Sequence, residues 1–76
     1  MSVSVLFFGA TADVVGSRKI ETIAATSTEL LENILSEYPR LASHKLLVSV
    51  NQEYVSDTVP LQDGDEVAIF TAVSGG

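Results

Sequence analysis

Residues 2–8, SVSVLFF, alternate between two faces. Val3, Val5 and Phe7 fall on one side and Ser2, Ser4, Leu6 and Phe8 on the other, the two-residue period of a strand. RKIETIA (18–24) alternates again through Ile20 and either Thr22 or Ile23, and predicts a second strand. Between them Gly9 and Gly16 bracket GATADVVG, which reads as a loop or irregular turn. KLLVSVN (45–51) predicts a third strand and EYV (53–55) a short fourth, with Asn51-Gln52 as a tight turn between them. Pro60-Leu61 and Asp63-Gly64-Asp65 punctuate a return. EVAIFTAV (66–73) is the last strand, with Val67, Ile69 and Thr71 on one face and Ala68, Phe70 and Ala72 on the other.

One segment changes period. Leu30, Leu31, Ile34, Leu35 and Tyr38 form a single apolar stripe at helical spacing, with Glu32, Asn33, Ser36 and Glu37 opposite. Thr26-Ser27-Thr28-Glu29 has the form of a capping box, in which the Thr26 hydroxyl takes a first-turn N–H and Glu29 reaches back. Pro39 disfavours helical geometry in the residue before it and stops the helix. Five strands with one amphipathic helix predict an α+β fold, a mixed sheet with the helix laid across one face. A crossover from the second strand through the helix suits this. No repeat or linker divides the chain, so residues 1–76 are expected to form one domain with a flexible tail at 74–76.

One helix covers one face. If Val3, Val5, Phe7, Val67 and Ile69 lie beneath it, Leu6, Phe8 and Phe70 are left on the other side. With the first and last strands as neighbours these three make a contiguous apolar patch, extended by Tyr54. A contiguous patch of that kind marks a partner surface on a soluble protein.

Composition narrows what the patch can serve. Of 76 residues 46% are hydrophobic and 18% charged, enough apolar material for a small core. Cysteine is absent, so disulfides, thiolate metal sites and a cysteine nucleophile are excluded. Ten acidic against four basic residues give a net charge of −6, which repels phosphate backbones and anionic lipid; neither nucleic acid nor membrane is expected as a partner. The N-terminal MSVSVLFFGATAD lacks a charged n-region and a long apolar run, and the protein is expected in the cytoplasm. Asp63 and Asp65 flank Gly64 as turn residues, with no third ligand beside them, and no metal is expected there. His44, the only histidine, has no nucleophile or paired carboxylate next to it in the sequence. No catalytic constellation is visible, and the domain itself is expected to bind no cofactor.

The chemistry is at FTAVSGG (70–76). Two adjacent glycines leave a carboxylate narrow and unshielded, able to enter a tight channel and attack the α-phosphate of ATP. The acyl-adenylate so formed can be displaced by a nucleophile such as a persulfide. At roughly 7% glycine usage, a Gly-Gly end arises by chance about once in two hundred chains, so the pair gains weight only beside the patch on the strand leading into it.

VLFFGATADVVG (5–16), VN (50–51), LQDGDEVAIF (61–70) and VSGG (73–76) resemble the small subunits of molybdopterin synthase, the MoaD family of the ubiquitin-like β-grasp group. The resemblance runs through essentially the whole chain. It implies that Gly76 is adenylated by a MoeB-like enzyme at the expense of ATP, then receives sulfur from a sulfurtransferase donor as a thiocarboxylate. It implies further that the tail enters a MoaE-like large subunit within a heterotetramer and donates that sulfur to cyclic pyranopterin monophosphate for the molybdenum cofactor. Gly75 is then the slender neighbour of Gly76, and Leu6, Phe8, Tyr54 and Phe70 the partner face. Many relatives carry two prolines where this chain has Thr71 and Ala72, so its tail loses more freedom on insertion. Two other uses of such a tail fit the residues: a ThiS-like sulfur carrier for thiamin thiazole synthesis, and a ubiquitin-like modifier joined to lysines. The eight-residue GATADVVG and the DEVAIF strand favour the molybdopterin side over the thiazole carrier.

Overall fold

The computed structural model describes residues 2–71; Met1 and residues 72–76 lie outside the described residues. The elements are β1 (Val3–Phe7), α1 (Ala10–Val15), β2 (Lys19–Thr22), α2 (Ser27–Glu37), a 3-10 segment (Pro39–Ser43), β3 (Leu46–Val50), β4 (Glu53–Val55) and β5 (Glu66–Thr71). The strands form one sheet in the order β2-β1-β5-β3-β4. β1 and β5 are parallel neighbours at its centre, and every other pairing is antiparallel. β2 and β3 therefore run in the same direction on either side of that central pair, and α2 makes the crossover between them. This is the mixed sheet with a covering helix that the residue pattern predicts.

The core is the inner face of the sheet against α2. Val3, Val5, Phe7, Val67 and Ile69 are all buried, and Leu30 and Ile34 of α2 meet them together with Ala24, Leu41 and Leu61. Tyr38 closes one end, edge-on to Phe7 with ring centroids 6.5 Å apart. The Thr26 half of the expected capping box is present, its Oγ accepting from the Glu29 N–H at 3.1 Å. The N-terminus of α2 is also stitched to the loop before β5: Ser27 exchanges bonds with Val59, and Leu61 N–H donates to the Ala25 carbonyl. Pro39 ends the helix at Tyr38, whose backbone has left helical geometry. It then opens the 3-10 segment that buries Leu41, an element the apolar stripe gave no sign of.

Two expectations need correction. GATADVVG is not an irregular turn: its middle is α1, started after Gly9 and closed by Gly16 in the left-handed region at φ 80°. Thr11 is fully buried in α1 and its hydroxyl reaches the carbonyls of Phe8 at 2.6 Å and Ile69 at 3.1 Å. A six-residue helix offers fewer than two turns of periodicity, too few for its Thr11, Val14, Val15 face to stand out from a loop in the sequence. The second correction concerns β2, which spans only four residues, with Ile20 and Thr22 in the inward phase and Ile23 beyond its end and exposed.

Candidate functional site

The outer face of the sheet is built by register. Residues directly opposite across paired strands share a face, so the pairs Leu6–Ala68, Ala68–Ser49, Ser49–Tyr54 and Phe70–Leu47 set one continuous outer surface. Phe8 continues the outward phase of β1, and its N–H donates to the Ile69 carbonyl at 3.1 Å. The Thr11 hydroxyl fixes the turn that follows. Phe8 and Tyr54 are exposed, Tyr54 by 75%, while Leu6 and Phe70 are half-buried. Tyr54 stands edge-on to Phe70 with ring centroids 5.6 Å apart. Together these four side chains line a mainly apolar groove of about 580 Å³ floored by Ala68 and Ser49. All four residues expected on the partner face are thus brought together.

One residue of this face, and one that anchors the turn beside it, escaped sequence reasoning. Leu47 comes opposite Phe70 only through the β3–β5 pairing, which no local pattern announces. Thr11, buried in α1, ties the backbone at Phe8 through its hydroxyl; its signal was the spacing of Thr11, Val14 and Val15 on one face of a short helix.

The far end of β5 is polar. Asn51 and Gln52 make a tight turn with both φ angles positive, at 50° and 72°. In that turn the Asn51 amide donates to Asp65 Oδ1 at 3.1 Å, and its Oδ1 accepts from the Glu66 N–H at 3.0 Å. Asp65 Oδ2 accepts from the Gln62 N–H at 2.8 Å, closing the turn at Gly64, and Asp63 Oδ1 accepts from the Ser2 N–H at 2.8 Å. The Gln62 N–H first, and the Asn51 amide second, hold the Asp65 carboxyl below its ordinary value of 3.8, against a smaller opposing effect of desolvation. Asp63 and Asp65 are therefore occupied as hydrogen-bond acceptors of the fold. No group of three or more His, Cys, Asp or Glu able to hold a metal occurs among the described residues. His44 is exposed at the end of the 3-10 segment, its backbone N–H donating to the Leu41 carbonyl. No helix of the described residues is long and apolar enough to cross a membrane. Gly75 and Gly76, expected to carry the chemistry, lie outside the described residues.

A five-stranded mixed sheet wrapped on one long helix, its outer face apolar and its central strand leading toward Gly75-Gly76, defines a ubiquitin-like β-grasp protein. Residues 5–76 match the ThiS family model, and the chain belongs to that family. It is 40% identical over 80 residues to the molybdopterin synthase sulfur carrier subunit of Escherichia coli (strain K12), covering 97% of this chain and 99% of that one. Among solved structures, SAMP1 from Haloferax volcanii superposes with a TM-score of 0.85 at 27% identity over the full length of both chains. One chain of the complex of subunits 1 and 2 of molybdopterin-converting factor from Helicobacter pylori 26695 superposes at 0.75, with 28% identity, again over both full lengths.

Proposed function

We propose that this protein is the sulfur carrier subunit of a molybdopterin synthase. The observation that carries the reading is the full-length 40% identity to a sulfur carrier subunit of that enzyme, joined to an apolar face on the strand that precedes Gly75-Gly76. The outer face docks the tail's recipients, and the tail reacts. The Gly76 carboxylate attacks the α-phosphate of ATP on an adenylating enzyme and displaces pyrophosphate. A persulfide from a sulfurtransferase then displaces AMP, and a thiol reduces the resulting disulfide to free the thiocarboxylate. The large subunit receives the tail and the sulfur passes to the pterin precursor. The domain supplies binding and a reacting terminus, and its partners supply the catalytic groups. The Helicobacter pylori complex of the two subunits supports a large subunit as partner.

The test is intact-mass analysis after incubation with ATP, the adenylating enzyme and a sulfur donor. One oxygen is expected to be replaced by sulfur, and fragmentation to place it on Gly76. Deleting Gly76 draws the carboxylate back by up to roughly 3.5 Å, and adding a residue after it converts the reacting group to an amide. Both variants are expected to bind the large subunit normally and to lose sulfur transfer by about a hundredfold or more. Normal transfer by either variant removes Gly76 from the reaction.

A second reading rests on the likeness to SAMP1, a small archaeal modifier protein. In it the same adenylate is captured by a lysine ε-amine. Digestion of proteins from cells expressing the chain would then yield branched peptides with Gly76 on lysine, which the sulfur carrier reading alone does not produce.

A further inference from the structure

Phe8 is a ridge with a groove on each side. The groove toward Tyr54 and Phe70 belongs to the face already described. The other, about 530 Å³, runs over Leu6 and Ala12 to a rim made by Arg18 and Lys19, with Asp13 also on its border. The two grooves share Leu6, Phe8 and Gly9, so they form one surface. Lys19 is the cross-strand partner of Leu6, which puts it on the outer face. Its position is held locally: Ser17 Oγ donates to the Lys19 carbonyl and accepts from the Lys19 N–H, while the Arg18 carbonyl accepts from the Phe7 N–H.

The charge of this rim runs against the rest of the molecule. The chain has four basic residues against ten acidic ones, and two of the four stand side by side here, both exposed. Farther along the same outer face, Glu21 pairs with Ser4 and Ser4 with Glu66, making a row with acidic ends. The face is therefore apolar across the middle, basic at one edge and acidic at its far end. We propose that Arg18 and Lys19 form the second half of the docking surface, receiving one or more carboxylates of the large subunit whose apolar side chains lie over Phe8, Tyr54 and Phe70. A carboxylate there is attracted by the rim and repelled from Glu21 and Glu66, so the charges select one docking sense out of the two a plain apolar face would accept. The inference rests on the function proposed above for the identity of the occupant.

Charge reversal at matched sites tests it. Arg18→Glu, Lys19→Glu and Arg40→Glu each shift the net charge equally, and Arg40 is exposed in the 3-10 segment, outside both grooves. Association with the large subunit of the same organism's synthase is followed by stopped flow at increasing salt. Arg18→Glu and Lys19→Glu are each expected to slow association about tenfold at low salt, with Arg40→Glu within about twofold of the unmodified protein. The gap should close toward ~1 M salt, where the screening length falls to ~3 Å. Arg18→Lys and Lys19→Arg should keep the original rate. Equal slowing by all three reversals would mean that net charge alone steers the encounter, and no slowing at the rim would mean that the two cations only solvate the edge; either overturns the inference. If the unmodified protein does not bind the large subunit at all, the function proposed above fails, and the inference with it.

Discussion

The two ends of β5 are held by different means. At Glu66 the strand is tied by polar groups: Asn51 bridges Asp65 and the Glu66 N–H, and Asp65 closes its own turn on Gln62. At Phe70 the outer surface is aromatic, with Tyr54 edge-on and Phe8 at the other side of the groove. Between the ends, Val67 and Ile69 are buried against the helix side. A strand clasped at its start and buried along its inner face does not need its outer face for stability. The outer side chains of β5 are thereby free to be apolar for recognition, and the two tasks can be separated by mutation.

Adjacent residues of β5 give the largest test of that separation. Ile69 is fully buried and its neighbour Phe70 faces the groove. Ile69→Ala is expected to cost about 2–5 kcal/mol of stability through the lost burial and the cavity left behind. Phe70→Ala is expected to weaken binding to the large subunit by about 2–4 kcal/mol, as truncation of an aromatic anchor does. Its effect on stability should be small, limited to the contact with Tyr54. Denaturant titration and calorimetry on both variants measure the contrast. A collapse of stability in Phe70→Ala would make the outer face part of the core and dissolve the distinction.

The inner half of this arrangement was legible in the sequence because alternation assigns a strand's faces directly. Val3, Val5, Phe7, Val67 and Ile69 were predicted beneath the helix, and all are buried. The groove was legible for the same reason, since one helix cannot cover two faces; Leu6, Phe8, Tyr54 and Phe70 follow by subtraction. What the pattern could not carry was anything set by pairing across distance. Leu47 joins the outer face through the β3–β5 register, and Lys19 through the β1–β2 register. The Asn51–Asp65 bond joins two segments, VN and DGDEV, that the resemblance singled out separately and without a reason for their company. The structure supplies the reason: the signature at this end of the strand is a set of mutual hydrogen bonds.

Breaking the clasp should therefore cost stability and leave recognition intact. Asn51→Ala removes the amide from Asp65 and from the Glu66 N–H, and puts a Cβ residue with no local hydrogen bond at φ 50°. The expected loss is about 1–3 kcal/mol. Asn51→Gly keeps the backbone angle accessible and loses only the side chain, so it should be the milder of the two by that part of the loss. Affinity for the large subunit should be nearly unchanged in both, because Asn51 does not line the groove and its aromatic side chains lie toward the other end of β5, with Gln52 and Glu66 bordering only its polar end. A loss of affinity as large as that of Phe70→Ala would show that the clasp holds the docking surface and not the strand alone.

The smallest effect is also the most local, and it concerns the Asp65 proton. Hydrogen bonds from the Gln62 N–H and the Asn51 amide stabilise the charged carboxylate in the folded protein and hold its titration below 3.8. In the unfolded chain an aspartate titrates near ~3.9. Because the folded value is the lower, ionised Asp65 favours folding above the unfolded value. That contribution fades as the pH falls through the folded one. Stability measured by denaturant from pH 5 downward should thus decline with an Asp65 component that Asp65→Asn lacks. The same carboxyl followed by NMR should have its midpoint below 3.8. In Asn51→Gly that midpoint should rise yet remain depressed, since the larger of the two causes, the Gln62 N–H, is still in place. A midpoint that ignores the loss of Asn51 would mean that the bond across the turn does not form in solution. The polar end of β5 would then be held by the Gly64 turn and by backbone pairing, with the side-chain clasp contributing nothing.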